Sequence, residues 1–284
     1  MNRKVRATMH GAISIVNAIA TGKGSALGIS LKVSAELQLQ QGQGVRFQTR
    51  MNNDLVNNII YSTIPKDIIE KNLVFVSIES EIPWGYGLKS SSAVSNALSL
   101  ACYKLINQDI DDQTVLEIAV KASLDSHVTI TGAYDDATAC YFGGFVLADN
   151  YAHELIRREE APDDIYAIIL LPDKPSRGNI YNLTIMSDLF ADAFKLAEHG
   201  EYWKAMKLNG ILASTALSME YEPILSALEK GAVGATLSGN GPSIAAVVYE
   251  DQIENVRSAL ARFNGDILVS KINNKKASVE EIIG

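Results

Sequence analysis

The residues with the clearest chemical potential lie at 83–93, reading Pro-Trp-Gly-Tyr-Gly-Leu-Lys-Ser-Ser-Ser-Ala. Val94, Ala97, Leu98, Ala101, Cys102 and Leu105 then recur at helical spacing, so a glycine-rich turn runs into a helix whose first turn is serine. The first N–H groups of a helix have no intrahelical partner, and the helix dipole makes that end attractive to an anion. Gly85 and Gly87 let the chain turn sharply and approach a phosphate with no Cβ in the way. Ser90, Ser91 and Ser92 add hydroxyls, one of which could ligate Mg2+, and Lys89 adds positive charge if it points inward. Taken alone, these residues fit a phosphate cradle and an ordinary capped helix equally well.

Two phosphate-binding patterns are excluded. At 17–24 the P-loop pattern GxxxxGK[ST] fails, because Asn17 stands where the first glycine belongs and Gly24 follows Lys23. No GxGxxG follows the first strand, so a dinucleotide-binding fold is unsupported. The loop Gly22-Lys23-Gly24-Ser25 reads either as a nucleotide or substrate contact or as a solvated turn.

The elements around the turn mix strands and helices. Residues 30–39 alternate with period two and predict a strand, and Gly42 and Gly44 predict a hairpin turn into 45–49. A short helix is expected over 53–64 and a strand over 73–80, leading into the turn. A helix capped by Asp112 is expected to run to about Ser126, with a turn at 132–136 and a strand after Gly143-Gly144. The charged stretch Arg157-Arg158-Glu159-Glu160-Ala161-Pro162-Asp163-Asp164 is the expected boundary between units at 1–160 and 161–284. Beyond it come a buried strand at 166–172, two or three helices between about 181 and 229, strands at 233–237 and 244–249, a helix at 252–263 and a last strand at 267–272. The pattern is α+β in two layers, without repeats.

The chain of 284 residues carries a net charge of -8, which disfavours nucleic acid as a partner because that affinity rests on basic residues. Cys102 and Cys140 read as buried thiols, not a disulfide framework. The histidines, His10, His127, His153 and His199, have no zinc-site spacing. The start is basic then apolar, like a secretory leader, but His10, Ser14 and Asn17 interrupt it. No run reaches the roughly 18 apolar residues that span a bilayer. A soluble cytoplasmic protein is expected, with no membrane partner. A homo-oligomer is compatible with the sequence, which carries no signal for or against one.

The 83–93 segment resembles the central motif of the GHMP kinases: proline, a few residues, then Gly-Leu-x-Ser-Ser-Ser-Ala. Two further segments fall in the right order. Residues 132–137, Gly-Ala-Tyr-Asp-Asp-Ala, resemble the segment holding the catalytic aspartate, and residues 234–243 resemble the glycine-rich C-terminal motif. The resemblance therefore covers nearly the whole chain. Within the superfamily, residues 11–24 and 131–137 are most similar to the archaeal type of shikimate kinase, which phosphorylates the 3-hydroxyl of shikimate. The implied fold pairs an N-terminal domain like ribosomal protein S5 with a ferredoxin-like C-terminal domain, and the implied cofactors are ATP and Mg2+.

The resemblance also implies roles. Pro83, Gly85, Gly87, Leu88, Lys89, Ser90, Ser91, Ser92 and Ala93 match the nucleotide cradle. Asp135 matches the aspartate that takes or orients the acceptor hydroxyl, with Asp136 beside it as a supporting group or a helix cap. Ser92 or Ser91 matches the serine near Mg2+. The expected second ligand, a carboxylate on the preceding helix, has Asp125 as its nearest candidate, which reads equally as a surface residue. The cation usual in the family's first motif is missing after Gly11, and Lys23 is the expected replacement. Ser238, Gly239, Asn240 and Gly241 are expected near phosphates and substrate. Shikimate is an anion, so its pocket needs a cation, and Arg177 on the loop at 175–179 is the candidate, either as a carboxylate grip or as a solvated loop residue.

Overall fold

The computed structural model describes residues 3–48, 53–108, 111–173 and 178–282. In chain order the first half comprises β1 (Lys4–Val16), β2 (Lys23–Gln40), β3 (Gly44–Phe47), α1 (Asn53–Thr63), α2 (Lys66–Lys71), β4 (Leu73–Ser80), α3 (Ser90–Leu105), α4 (Asp112–Asp125), α5 (Tyr134–Phe142), β5 (Phe145–Asp149) and β6 (Glu154–Glu159). The second half comprises β7 (Ile165–Pro172), α6 (Asn182–Ile185), α7 (Ser187–Glu198), α8 (Tyr202–Leu217), α9 (Glu222–Glu229), β8 (Gly234–Leu237), β9 (Ile244–Tyr249), α10 (Ile253–Leu260), β10 (Gly265–Lys271) and β11 (Ser278–Ile282).

Two sheets organise these elements, as the α+β reading expects. The first runs β11-β1-β2-β4-β3, with β5 and β6 joined to the other end of β2. That long strand serves two neighbours in turn, pairing β5 through residues 23–27 and β4 through 33–40. The expected hairpin from β2 into β3 does not form. Instead β4 lies between them, antiparallel to β2 and parallel to β3. The apolar alternation of Val74, Val76 and Ile78 suits that inner position better than the short, partly exposed β3 does. The charged run expected as a boundary is in part the edge strand β6.

The second sheet runs β10-β7-β9-β8 with every pair antiparallel. Chain order and strand order together make the β-α-β-β-α-β ferredoxin-like arrangement, with α6 to α9 filling the first crossover. The last strand returns to the first sheet, where Val279 pairs with Ala7. Residues 278–282 therefore pair outside the 161–284 unit to which the linear sequence assigns them.

Helix α3 is buried along most of its length, with Val94, Ala97, Leu98, Ala101, Cys102 and Leu105 in the core. Its many serines and alanines let it sit close against β1 and β2. Leu88, fully buried just before it, anchors the turn, a burial that contributes about 2 kcal/mol.

Candidate functional site

The turn before α3 is shaped by its glycines. Gly85 and Gly87 have φ of 80° and 77°, left-handed values that glycine adopts without penalty. At Gly87 a Cβ would also overlap the Ser238 carbonyl oxygen, because the glycine turn after β8 packs directly on this one. The two turns are tied by hydroxyls. Ser238 Oγ donates to the Gly87 carbonyl at 2.9 Å, and Ser243 Oγ donates to the Tyr86 carbonyl at 2.6 Å. Lys89 then caps α3 in a left-handed conformation, leaving the first N–H groups of Ser90, Ser91 and Ser92 at the helix's positive end.

The end of β1 supplies polar groups that the sequence presented only as interruptions of an apolar run. Pairing of β1 with β2 shifts register between Ser14 and Val16, and such bulges re-aim side chains. The Ser14 hydroxyl accepts from Lys89 Nζ and from the Gly239 amide, both at 2.9 Å. Asn17 Nδ2 donates to the Gly239 carbonyl at 2.9 Å and to Asn240 Oδ1 at 3.1 Å, and its backbone N–H donates to Asn209 Oδ1 at 2.8 Å. Ser14 and Asn17 thus stitch β1 to elements of the second half.

The carboxylates come from the first turn of α5, whose dipole favours negative charge there. Asp135 is 5% exposed, and Asn150 bonds both its backbone and its carboxylate. Its backbone N–H donates to Asn150 Oδ1 at 2.8 Å, and Asn150 Nδ2 donates back to Asp135 Oδ1 at 2.9 Å and to Thr131 Oγ1 at 3.1 Å. The other carboxylate oxygen occupies space that Gly24 leaves open, since a Cβ at position 24 would overlap Asp135 Oδ2. Burial, and then the neighbouring Asp136, push the Asp135 carboxyl up to about 7, against the opposing pull of Lys89 and Asn150. The Lys89 ammonium donates to Asp136 Oδ1 at 2.8 Å. Burial by itself would lower the ammonium's pKa, but Asp136 and Asp135 outweigh that and raise it.

These groups line one cleft of about 580 Å3. Of the residues expected from sequence, Gly85, Gly87, Lys89, Ser90, Ser91, Ser92, Asp135, Asp136, Gly239, Asn240 and Gly241 lie on its wall. Leu88, Ala93 and Ser238 are buried behind that wall, and Pro83 lies outside it, half-buried at the start of the turn. Lys23 is exposed at the start of β2, its ammonium 6.0 Å from the Phe194 ring centre, and does not line the cleft. Asp125, at the end of α4, is exposed, and Ser123 faces the cleft in its place. Arg177 lies outside the described residues. Sequence reasoning missed Ser14, Asn17, Ser123, Thr131 and Asn150 as site residues, while Gly24 belongs to a loop it read either as a ligand contact or as a solvated turn. Polar side chains interrupting an apolar strand were the available signal for the first two.

Among the described residues no cluster of three His, Cys, Asp or Glu side chains forms a metal cage. The cleft instead offers the Ser91 and Ser92 hydroxyls, while Asn150 holds the Asp135 carboxylate and Lys89 holds that of Asp136. This sparse set suits Mg2+, which keeps waters and takes phosphate oxygens, and does not suit a zinc site. Among the described residues no helix is long and apolar enough to cross a membrane.

Known proteins share the sequence pattern and the fold of this chain. The family described as "GHMP kinases N terminal domain" matches residues 56–144, and "GHMP kinases C terminal" matches residues 192–266. The chain is 40% identical over 275 residues to the shikimate kinase of Methanothrix thermoacetophila, covering 95% of this chain and 94% of that one. It is 40% identical over 268 residues to the shikimate kinase of Pyrococcus furiosus, covering 91% and 96%. In fold it is similar to a homoserine kinase from Cytophaga hutchinsonii, with a TM-score of 0.77 at 18% identity over 98% of this chain and 97% of that one. It is likewise similar to the Methanococcus jannaschii mevalonate kinase, with a TM-score of 0.77 at 15% identity over 95% and 98%.

Proposed function

Because this chain belongs to the GHMP kinases and, within them, to the archaeal shikimate kinase family, we propose that it transfers the terminal phosphoryl group of ATP to the 3-hydroxyl of shikimate. The products are shikimate 3-phosphate and ADP, a step of chorismate and aromatic amino-acid biosynthesis. One observation carries the chemistry: a buried carboxyl, Asp135, opens onto the same cleft as the amide-rich start of α3.

Phosphoryl transfer depends on positioning and charge neutralisation more than on covalent chemistry by the protein. In our reading the amides and hydroxyls of Ser90, Ser91 and Ser92 hold the ATP phosphates, with Gly85 and Gly87 giving close backbone approach. Asp135, fixed by Asn150, accepts the proton of the shikimate 3-hydroxyl as its oxygen bonds to phosphorus. Asn17, Gly239, Asn240 and Gly241 line the same cleft and orient the acceptor. Mg2+ bound by the phosphates, water and the Ser91 or Ser92 hydroxyl would supply neutralising charge. We assign the shikimate carboxylate to Arg177, which immediately precedes Gly178, Asn179 and Ile180 of the cleft wall in the chain. We also assign the protein to the cytoplasm, and place the domain division near residue 160 with residues 278–282 counted in the first unit.

The test is ADP release coupled to NADH oxidation, with shikimate, homoserine and mevalonate offered as acceptors and the product identified by mass spectrometry. Shikimate-dependent ADP release with a shikimate monophosphate product is expected. Turnover of homoserine or mevalonate with none of shikimate would overturn the proposal.

A further inference from the structure

Lys89 stands where three local effects oppose a lysine. Its φ of 66° and ψ of 25° put a non-glycine residue in the left-handed region, at a cost of about 1 kcal/mol. It caps the N-terminus of α3, the positive end of the dipole, which repels a cation. Its side chain is only 6% exposed, and removing an ammonium from water is costly unless it is paired. What offsets these costs is specific. The ammonium donates to Asp136 Oδ1 at 2.8 Å and to Ser14 Oγ at 2.9 Å, so its contacts join α5, β1 and the turn before α3. A lysine spent in this way is committed to the carboxylates, not extended along a phosphate chain.

The carboxylates give that commitment a purpose. Asp135 and Asp136 are adjacent at one helix start, and two such groups in a poorly hydrated site cannot both ionise cheaply without a cation. Asp135 must be ionised to take a hydroxyl proton. We propose that the Lys89 ammonium is the fixed counter-charge of this carboxylate pair, a positioning residue that Asp136 tethers and that keeps Asp135 able to accept a proton. This rests on the reading of Asp135 as the acceptor-side base.

Other charges lie elsewhere on α5. Asp136 acts on Asp135 from the same helix, and the buried Cys140 thiol feels Asp136, Lys89 and Asp135 together. β2 presents Gly24 and the end of β5 is followed by Asn150, both uncharged. Glu117 of α4 acts on Tyr134, while Asp112 and Lys276 meet at Tyr141, one turn or more from the pair. Arg158 of β6 is engaged by the carbonyls of Phe142 and Gly143 at the helix end, by the Asn274 carbonyl and by Glu160. Lys89 acts on both carboxylates, while of the histidines nearby His127 lines the cleft and His153 stacks on the Tyr134 ring.

The experiment follows the Asp135 carboxyl carbon by 13C NMR as pH is varied. The resonance is assigned by its loss in Asp135→Asn, and circular dichroism checks the fold of each variant. Lys89→Met should raise the Asp135 midpoint by about one unit or more, a roughly tenfold drop in ionised fraction below the midpoint. Lys89→Arg should keep the midpoint near that of the wild type. Asp136→Asn removes the like charge and should lower it. The acidic limb of kcat/KM for shikimate should move with these midpoints, in opposite directions for Lys89→Met and Asp136→Asn. An unmoved midpoint in Lys89→Met overturns the inference, and if that variant does not fold, an unmoved midpoint in Lys89→Gln does so. The titration needs no turnover, so a wild type inactive on shikimate would refute the functional reading while the NMR still decides the role of Lys89.

Discussion

Replacing Asp135 by asparagine should stabilise this protein while abolishing its turnover. The carboxyl is pushed from 3.8 up to about 7, first by burial and then by Asp136. A carboxyl whose folded pKa is raised contributes stability that is fully present below the unfolded value and is lost as pH rises through the folded one. At about 1.36 kcal/mol per unit, a shift of roughly three units costs the native state up to about 4 kcal/mol above pH 7. Asparagine removes that cost. It keeps an Oδ1 for the 2.9 Å bond from Asn150 Nδ2, and Lys89 keeps its direct partner Asp136. Part of the gain is returned because Lys89 loses the nearby Asp135 charge, so about 2–4 kcal/mol remains at about pH 8. The gain should shrink by about 2–3 kcal/mol on going to about pH 5, where the native wild-type carboxyl already holds its proton. Urea unfolding of both proteins at several pH values between these limits measures this directly. A stability difference that does not vary with pH, or a variant less stable than wild type at about pH 8, would refute the argument. ATP binding measured by calorimetry on the same variant should be retained while phosphoryl transfer falls by a factor of about 100 or more.

Three further outcomes follow from the same geometry. In the wild type, kcat/KM for shikimate should rise with pH and level off near 7, because protonated Asp135 cannot take the hydroxyl proton; a flat profile from about pH 5 to 9 would contradict that role. Gly24→Ala should lower kcat about 100-fold with little change in ATP affinity, because the new methyl overlaps Asp135 Oδ2 and comes within 2.7 Å of Ala18 Cβ; near wild-type turnover would show that the carboxyl can sit elsewhere. Gly87→Ala should destabilise the protein by about 1–3 kcal/mol, measured by urea unfolding, because its φ of 77° is strained for alanine and its Cβ overlaps the Ser238 carbonyl; unchanged stability would mean that the two glycine turns are not in contact.

What the sequence determined by itself was local. The serine-rich helix start, the glycine turns and the adjacent carboxylates each follow from residue type and short spacing, because backbone conformation and helix polarity act over a few residues. The α+β pattern was legible for the same reason, since apolar periodicity reports which face of an element is covered. Only the tertiary structure decided which of these pieces meet. Lys23 and Asp125 had suitable chemistry, yet one lies over Phe194 and the other ends α4 facing solvent. Ser14, Asn17 and Asn150 looked like ordinary polar residues, and their positions follow from a register shift in β1 and from the change of partner along β2. Strand order was equally hidden, because β11 joins β1, and β4 separates β2 from β3, through hydrogen bonds between residues far apart in the chain. Such pairings depend on the summed burial of whole faces, which no short stretch of sequence contains.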